Sequence, residues 1–113
     1  MFERGKIVLV PFPFTDLSSQ KVRPAVIVSM TDRNDKDVVV VFVTTRTAKI
    51  SKDCLVISED HPAFGRTGFK TESVIRADKI ATLDRRIVLG ELGALPSPFM
   101  RLLHQKLKSV LGL

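Results

Sequence analysis

The sequence has no tryptophan, no tyrosine and one cysteine, Cys54. A lone cysteine cannot form an intrachain disulfide, which suits a reducing compartment, so we expect a cytoplasmic protein. Cys54 lies in a strand-like run, residues 53–57, and we interpret it as a small core residue rather than a nucleophile. Packing must therefore depend on aliphatic side chains and seven phenylalanines.

Several classes of segment and site are also missing. No apolar run approaches the ~20 residues of a membrane span, and the N-terminus has no signal-peptide core, so we expect no membrane association. No cysteine or histidine cluster has metal-ligand spacing, and no glycine-rich loop resembles a phosphate-binding motif, so we expect neither metal nor cofactor. His61 lies in a loop and His104 on a predicted helix, and nothing in the pattern joins them in a two-histidine ribonuclease site.

The charge is strongly positive. The chain of 113 residues carries a formal net charge of +6 and has a pI of about 9.9. This excess favours an anionic partner, whether nucleic acid, a membrane surface or an acidic protein, over a merely soluble basic protein. Hydrophobic residues make up 44%, enough for the core of one domain spanning residues 1–113.

Short apolar runs separated by turn residues predict a mostly β protein. We expect five or six short strands forming a small, mostly antiparallel barrel, with the very hydrophobic run 38–43 at its centre. The strands are predicted at 6–10, 24–29, 38–43, 54–57, 73–76 and 79–83, and residues 87–95 form a short strand or a turn.

The C-terminus predicts one packing helix. Ser97 is placed as its N-cap and Pro98 as its first residue, and Gly112 ends it. The apolar face is expected to consist of Phe99, Leu102, Leu103, Leu107, Val110 and Leu111.

A basic pair precedes the second strand. Lys21 and Arg23 lie just before Pro24, which we place at the first residue of the strand or on a sheet edge because proline lacks an N–H. Pro24 also restricts Arg23 to an extended conformation. We interpret Arg23 as a rim residue whose guanidinium reaches a groove, the alternative being an exposed arginine without a role.

Two loops carry further candidate residues. Phe12 and Phe14 alternate with prolines and would either stack on bases or plug the barrel end, and we favour the plug for Phe12. Residues 44–52 combine hydroxyls with cations, as phosphate contacts do, although an ordinary solvated loop has the same composition.

Four stretches in order, residues 5–10, 23–29, 42–45 and 73–84, resemble the MazF/PemK family of toxins. The resemblance implies an SH3-like barrel that dimerises, a sequence-specific endoribonuclease acting on single-stranded RNA, and an acidic antitoxin as partner. It matches Arg23 and Thr44 to the family's catalytic arginine and threonine. The loop before Arg23 lacks the glycine pair of many members, so cleavage specificity is not carried over.

The expected chemistry is attack of a ribose 2′-OH on the adjacent phosphorus without a metal. Arginine is a poor base, so we expect Arg23 to stabilise the phosphorane and Thr44 to donate a hydrogen bond to it. The pattern names no base for the 2′-OH proton. The residues expected to bind RNA are Phe14, Lys21, Thr45, Arg46 and Lys49.

Two other functions fit the same barrel. One is a non-catalytic domain that binds RNA or DNA, and the other is a toxin of the same fold that inhibits DNA gyrase. Only the nuclease would leave cyclic-phosphate ends on RNA in the presence of EDTA.

Overall fold

The computed structural model describes residues 3–12, 21–30, 36–45 and 50–113. Within these residues the chain forms six strands, two short 3-10 turns and one helix. The strands are β1 (Lys6–Phe12), β2 (Lys21–Ile27), β3 (Asp37–Thr44), β4 (Cys54–Ile57), β5 (Ser73–Asp84) and β6 (Gly90–Ala94). The 3-10 turns are Phe64–Thr67 and Arg85–Ile87, and the helix α1 is Ser97–Leu111.

The six strands form one antiparallel sheet in the order β4-β5-β3-β2-β1-β6. The turn Phe64–Thr67, which follows edge strand β4, packs against β6 at the opposite edge. The sheet is therefore curled into a half-barrel, and α1 packs against β4 and β5. This confirms the predicted mostly β fold with a C-terminal packing helix.

Strand β3 lies inside the sheet, between β2 and β5, as its hydrophobicity predicts. Its side chains alternate between two buried clusters, with Val41 and Val43 in the first and Val40 and Phe42 in the second. A strand that is apolar on both faces has to be covered on both faces, which explains why it cannot lie at an edge.

The first cluster lies on the face that α1 covers, and the second on the opposite face. The helix contributes Phe99 and Leu103 to the first cluster. Cys54 is buried, with only 6% of its surface exposed, which confirms its interpretation as a core residue. The second cluster consists of Val8, Val10, Ala25, Ile27, Val38, Val40, Phe42 and Leu83.

The expected start of β2 is wrong by three residues. The strand begins at Lys21, and Pro24 is its fourth residue, paired with Leu9 of β1. Proline has no N–H to donate to a neighbouring strand. It is tolerated here because the pairing of β2 with β3 begins only at Ala25, so Pro24 has no partner on β3.

The two short strands predicted at 73–76 and 79–83 are one strand, β5. The pairing with β3 shifts from Val41↔Ile80 to Phe42↔Arg76, so residues 77–79 form a bulge. The bulge is anchored because the Ala77 N–H donates to the Asp53 carbonyl at 3.0 Å. A bulge inserts residues without ending the strand. In the sequence, the polar residues of the bulge therefore resemble a turn between two strands.

The helix differs from the prediction in its cap and in two apolar positions. Its N-cap is Pro96, and Ser97 is the first helical residue, without a side-chain capping bond. Leu102 and Leu111 are 45% and 56% exposed, because the buried stripe passes through Phe99, Leu103 and their part-buried neighbours. The ambiguous stretch 87–95 contains the end of a 3-10 turn and then β6.

Gly93 allows the closure of the half-barrel. A Cβ at this position would lie 2.6 Å from the Arg66 carbonyl oxygen and still closer to that of Thr67. We expect Gly93→Ala to force β6 away from the Phe64–Thr67 turn and to lower the free energy of unfolding by about 1–3 kcal/mol. Urea unfolding would measure this change.

Gly90 is the matched control, since it lies on the same strand and a Cβ there has no neighbour within 4 Å. Gly90→Ala should change stability by no more than about 0.5 kcal/mol. Equal effects of the two substitutions would show that close approach at Gly93 does not hold the edges together.

Asp84 caps the turn Arg85–Ile87. Its carboxylate accepts from the Arg86 guanidinium and from the Arg86 backbone N–H, and these hydrogen bonds lower the pKa of Asp84 to about 2. Because the ordinary value is about 3.9, the cap stabilises the fold above that pH and is lost as pH falls towards 2. We expect the stability difference between wild type and Asp84→Asn to shrink across this window in urea titrations. A difference independent of pH would contradict the cap's ionic character.

Candidate functional site

Polar side chains gather at one end of the sheet. The start of β2, the end of β3 and the first half of β5 meet there, because these neighbouring strands are antiparallel. Segments 13–20 and 46–49 join the sheet at this end and lie outside the described residues. We call this end the polar end of the sheet.

The strand register puts Arg23 and Thr44 at the same end of the neighbouring strands β2 and β3. The last pair of that ladder is Ala25↔Phe42, and the same register continued by two residues on each strand reaches Arg23 and Thr44. Both residues lie within their strands and are half-buried. Two residues predicted from separate motifs, 21 positions apart, therefore lie at the same end of adjacent strands.

Arg23 and Thr44 lie on the face of the second cluster. Alternation along the strands puts Arg23 on the side of Ala25, and Thr44 on the side of Phe42. The Phe12 ring packs against Phe42 with centroids 4.9 Å apart, which agrees with the interpretation of Phe12 as a packing residue. The two phenylalanines give the polar end a fixed apolar base.

The other predicted residues fall into two groups. Lys21 is the exposed first residue of β2, and Thr45 is exposed immediately after β3, so both lie at the polar end. Phe14, Arg46 and Lys49 lie outside the described residues.

The sequence reasoning missed an ion pair on β5. Arg76 and Asp78 form a bidentate contact, with Nε–Oδ1 at 3.1 Å and Nη2–Oδ2 at 2.6 Å. The hydrogen bond from Arg76 lowers the pKa of Asp78, and the same bond raises the pKa of Arg76. The signal was an arginine and an aspartate two positions apart in a strand, a spacing that puts both on one face.

The histidines lie on the other side of the sheet. The His61 ring stacks on Phe99 with centroids 4.5 Å apart, and His104 Nδ1 lies 3.4 Å from an Arg4 guanidinium nitrogen. His61 lies in the loop after β4 and His104 on α1, so neither belongs to the strands that meet at the polar end. Across the described ranges, no three histidine, cysteine or acidic residues are grouped so as to hold a metal ion.

The chemistry at the polar end suits an anion. Arginine offers a planar fork of donors that matches a phosphate, and threonine adds a neutral hydroxyl donor. In the part of the chain that the structure describes, no helix is long and apolar enough to cross a membrane.

Comparison with known proteins gives one family and a consistent set of folds. The family model described as PemK-like, MazF-like toxin of type II toxin–antitoxin systems matches residues 3–111. Comparison with curated proteins gives no match.

Solved structures of this fold resemble the chain over nearly its whole length. A MazE–MazF crystal structure from Deinococcus radiodurans is 25% identical with a TM-score of 0.77, covering 98% of this chain and 96% of that one. An endoribonuclease from a mycobacterial species is 26% identical with a TM-score of 0.73, covering 98% and 91%. A mycobacterial endoribonuclease in complex with its cognate antitoxin is 23% identical with a TM-score of 0.76, covering 98% and 95%.

The family match therefore spans the six strands and the helix, including the polar end of the sheet. Together with the shared half-barrel, it shows that the chain belongs to the PemK-like, MazF-like toxins of type II toxin–antitoxin systems.

Proposed function

We propose that this toxin is a metal-independent, sequence-specific endoribonuclease that cleaves single-stranded RNA through attack of the ribose 2′-OH. The observation that carries the proposal is that Arg23 and Thr44 lie at the same end of the neighbouring strands β2 and β3, on the face of the second cluster. The family match and the endoribonucleases among the similar structures support it.

In the proposed reaction, hydrogen-bond donors around the phosphate do the work that a metal ion does in other nucleases. The 2′-O–P bond forms, the P–5′-O bond breaks, and the products are a 2′,3′-cyclic phosphate and a 5′-hydroxyl. Negative charge grows on the non-bridging oxygens, where a bidentate guanidinium stabilises it best. We assign that role to Arg23 and a supporting hydrogen bond to Thr44. Lys21, Thr45, Arg46 and Lys49 contact the flanking backbone, and Phe14 stacks on a base.

An acidic antitoxin is the proposed regulator. The net charge of +6 attracts an acidic, partly disordered segment as readily as it attracts RNA. Similar structures include a toxin bound to its cognate antitoxin and a MazE–MazF complex. We infer that the antitoxin of this chain covers the polar end and excludes RNA, and that the toxin acts in the cytoplasm. A tight partner that left RNA cleavage unchanged would contradict this.

The proposed activity is tested by the ends of the products. Purified protein is incubated with a long RNA in EDTA, and the fragments are mapped. Cyclic-phosphate ends at a recurring sequence would support the nuclease. Bound but intact RNA would favour a non-catalytic binding domain, and inhibition of DNA gyrase with intact RNA would favour the gyrase-directed toxin.

Arg23→Lys separates charge from geometry. Lysine keeps the positive charge but loses the planar fork, so we expect the single-turnover cleavage rate to fall by about 10²–10³ while RNA affinity hardly changes. Affinity is measured on an oligonucleotide with 2′-deoxyribose at the mapped cleavage site.

Arg86→Lys is the control, because Arg86 is 88% exposed at the opposite end of β5. It should retain the wild-type rate. Near-normal cleavage by Arg23→Lys would remove Arg23 from the catalytic role.

We also propose a homodimer. Large apolar side chains remain exposed on the single chain, among them Val22, Met30 and Leu89 at 55%, 59% and 60%. A second copy would cover such surface at low cost. Sedimentation velocity should show a dimer at micromolar concentration, and a monomer there would refute the proposal.

A further inference from the structure

A cavity lies between the N-terminal segment and the exposed face of α1. Its volume is about 340 Å³, and it is lined by Arg4, Met100, Arg101, His104 and Gln105. Arg4 precedes β1, whereas the polar end lies at the other end of that strand, roughly 20 Å away along its seven residues. We call this space the α1 cavity, and none of the residues assigned to RNA lines it.

The helix supplies three polar side chains to the α1 cavity. Arg101, His104 and Gln105 are exposed and recur at i, i+3 and i+4, a spacing that puts them on one face of α1. The helix contains no acidic residue, and none of the five lining residues is acidic. Every charged side chain in the wall is therefore a cation.

The N-terminal segment holds Arg4 in place. The Gly5 N–H donates to the Ile27 carbonyl at 2.7 Å, and the Leu95 N–H donates to the Gly5 carbonyl at 2.8 Å. The half-buried side chain of Arg4 donates from its guanidinium to the Val28 carbonyl. The backbone and the guanidinium are thus both held before any ligand arrives, which lowers the entropy lost on binding.

Arg4 also determines which nitrogen of His104 donates. A second guanidinium nitrogen of Arg4 lies 3.4 Å from Nδ1 of His104. Because arginine can only donate, Nδ1 is the acceptor of this bond, and the imidazole proton is on Nε2. His104 therefore offers an N–H donor from Nε2. Arg4 uses two of its five N–H groups in these contacts, so three remain.

The available donors suit a phosphate group better than a carboxylate. Arg101 makes no hydrogen bond or ion pair with the residues that the structure describes, so its whole planar fork is available. The Gln105 amide and His104 Nε2 add neutral donors. A terminal phosphate presents three strong acceptor oxygens, whereas a carboxylate or a phosphodiester presents two. Met100 gives the cavity an apolar wall, and its volume is within the usual range for small-molecule sites.

We propose that the α1 cavity binds a terminal phosphate group, either inorganic phosphate or a phosphate monoester, with Arg4 and Arg101 as its principal ligands. The site goes beyond the proposed ribonuclease function and does not depend on it, because it is remote from Arg23 and Thr44.

Inorganic phosphate is the first probe. The imidazole resonances of His104 report binding in NMR titrations at fixed pH and fixed ionic strength, with chloride as the anion that phosphate replaces. We expect saturable shifts in the wild type. Arg101→Gln should weaken phosphate binding by about tenfold or more, because a charge-assisted bond is lost. Arg101→Lys keeps the charge without the fork and should lie between the two.

Lys108→Gln is the matched control. Lys108 is an exposed cation on the same helix but does not line the cavity, so this variant removes an equal charge and no donor. It should change the dissociation constant by no more than about twofold, since exposed charges are screened. Equal weakening by Arg101→Gln and Lys108→Gln would show general attraction of anions and overturn the proposal, as would the absence of saturable shifts at His104.

The class of ligand is tested with matched compounds. Thymidine 5′-monophosphate should shift the His104 resonances as phosphate does, and thymidine should not. An oligodeoxythymidylate without terminal phosphates offers only phosphodiesters, and hexaglutamate offers only carboxylates. A stronger effect from either would overturn the proposal, in favour of a nucleic-acid backbone or an acidic protein segment.

The results separate this inference from the proposed function. RNA cleavage without phosphate binding at His104 would overturn the inference alone, and phosphate binding without RNA cleavage would overturn the proposed function alone. Thermal unfolding of each variant verifies that the fold is intact, and Arg101→Lys serves if Arg101→Gln does not fold.

Discussion

The fold depends on the double-sided burial of β3. Val38 and Val40 face one cluster and Val41 and Val43 the other, so both faces of this strand must be covered. Pairing with β2 and β5 satisfies its backbone, while the helix covers one face and the second cluster packs on the other. Each buried aliphatic side chain contributes roughly 1.5–3 kcal/mol relative to exposure, so the buried residues of β3 contribute strongly to the stability of the fold.

Because β3 is packed on both faces, the position of its last residue, Thr44, is well defined. Thr44 ends the strand where apolar alternation gives way to polar side chains, and it pairs with Val74 of β5, while the pairing of β3 with β2 stops at Ala25↔Phe42. A phosphoryl-transfer site works by preorganised donors rather than by mobile ones. The end of a well-packed strand therefore suits the role proposed for Thr44.

The role of the charged residues also depends on where the strand register places them. The chain is basic overall, which favours an anionic partner, yet a carboxylate, Asp78, lies beside the polar end. A lone carboxylate there would repel phosphate, but one bound to Arg76 is neutralised and restricts the guanidinium. The pair at Asp84 and Arg86 instead caps a turn. Two Arg–Asp pairs with the same spacing in the sequence therefore have different structural settings, because the strand register places them at different ends of β5.

Alternation, turn residues and helical spacing in the sequence determined the β character, the central position of β3, the buried Cys54 and the C-terminal helix, because these depend on local patterns of burial. The family resemblance picked out Arg23 and Thr44, and the family match bears out the resemblance, while their catalytic roles stay predictions. Only the tertiary structure decided that β5 continues through residues 77–79 and that Pro24 lies within β2, because both depend on which partner strand is present at each position. It alone decided that Arg23 and Thr44 lie at the same end of neighbouring strands and that Arg76 pairs with Phe42, since a register between distant segments is set by packing both clusters at once.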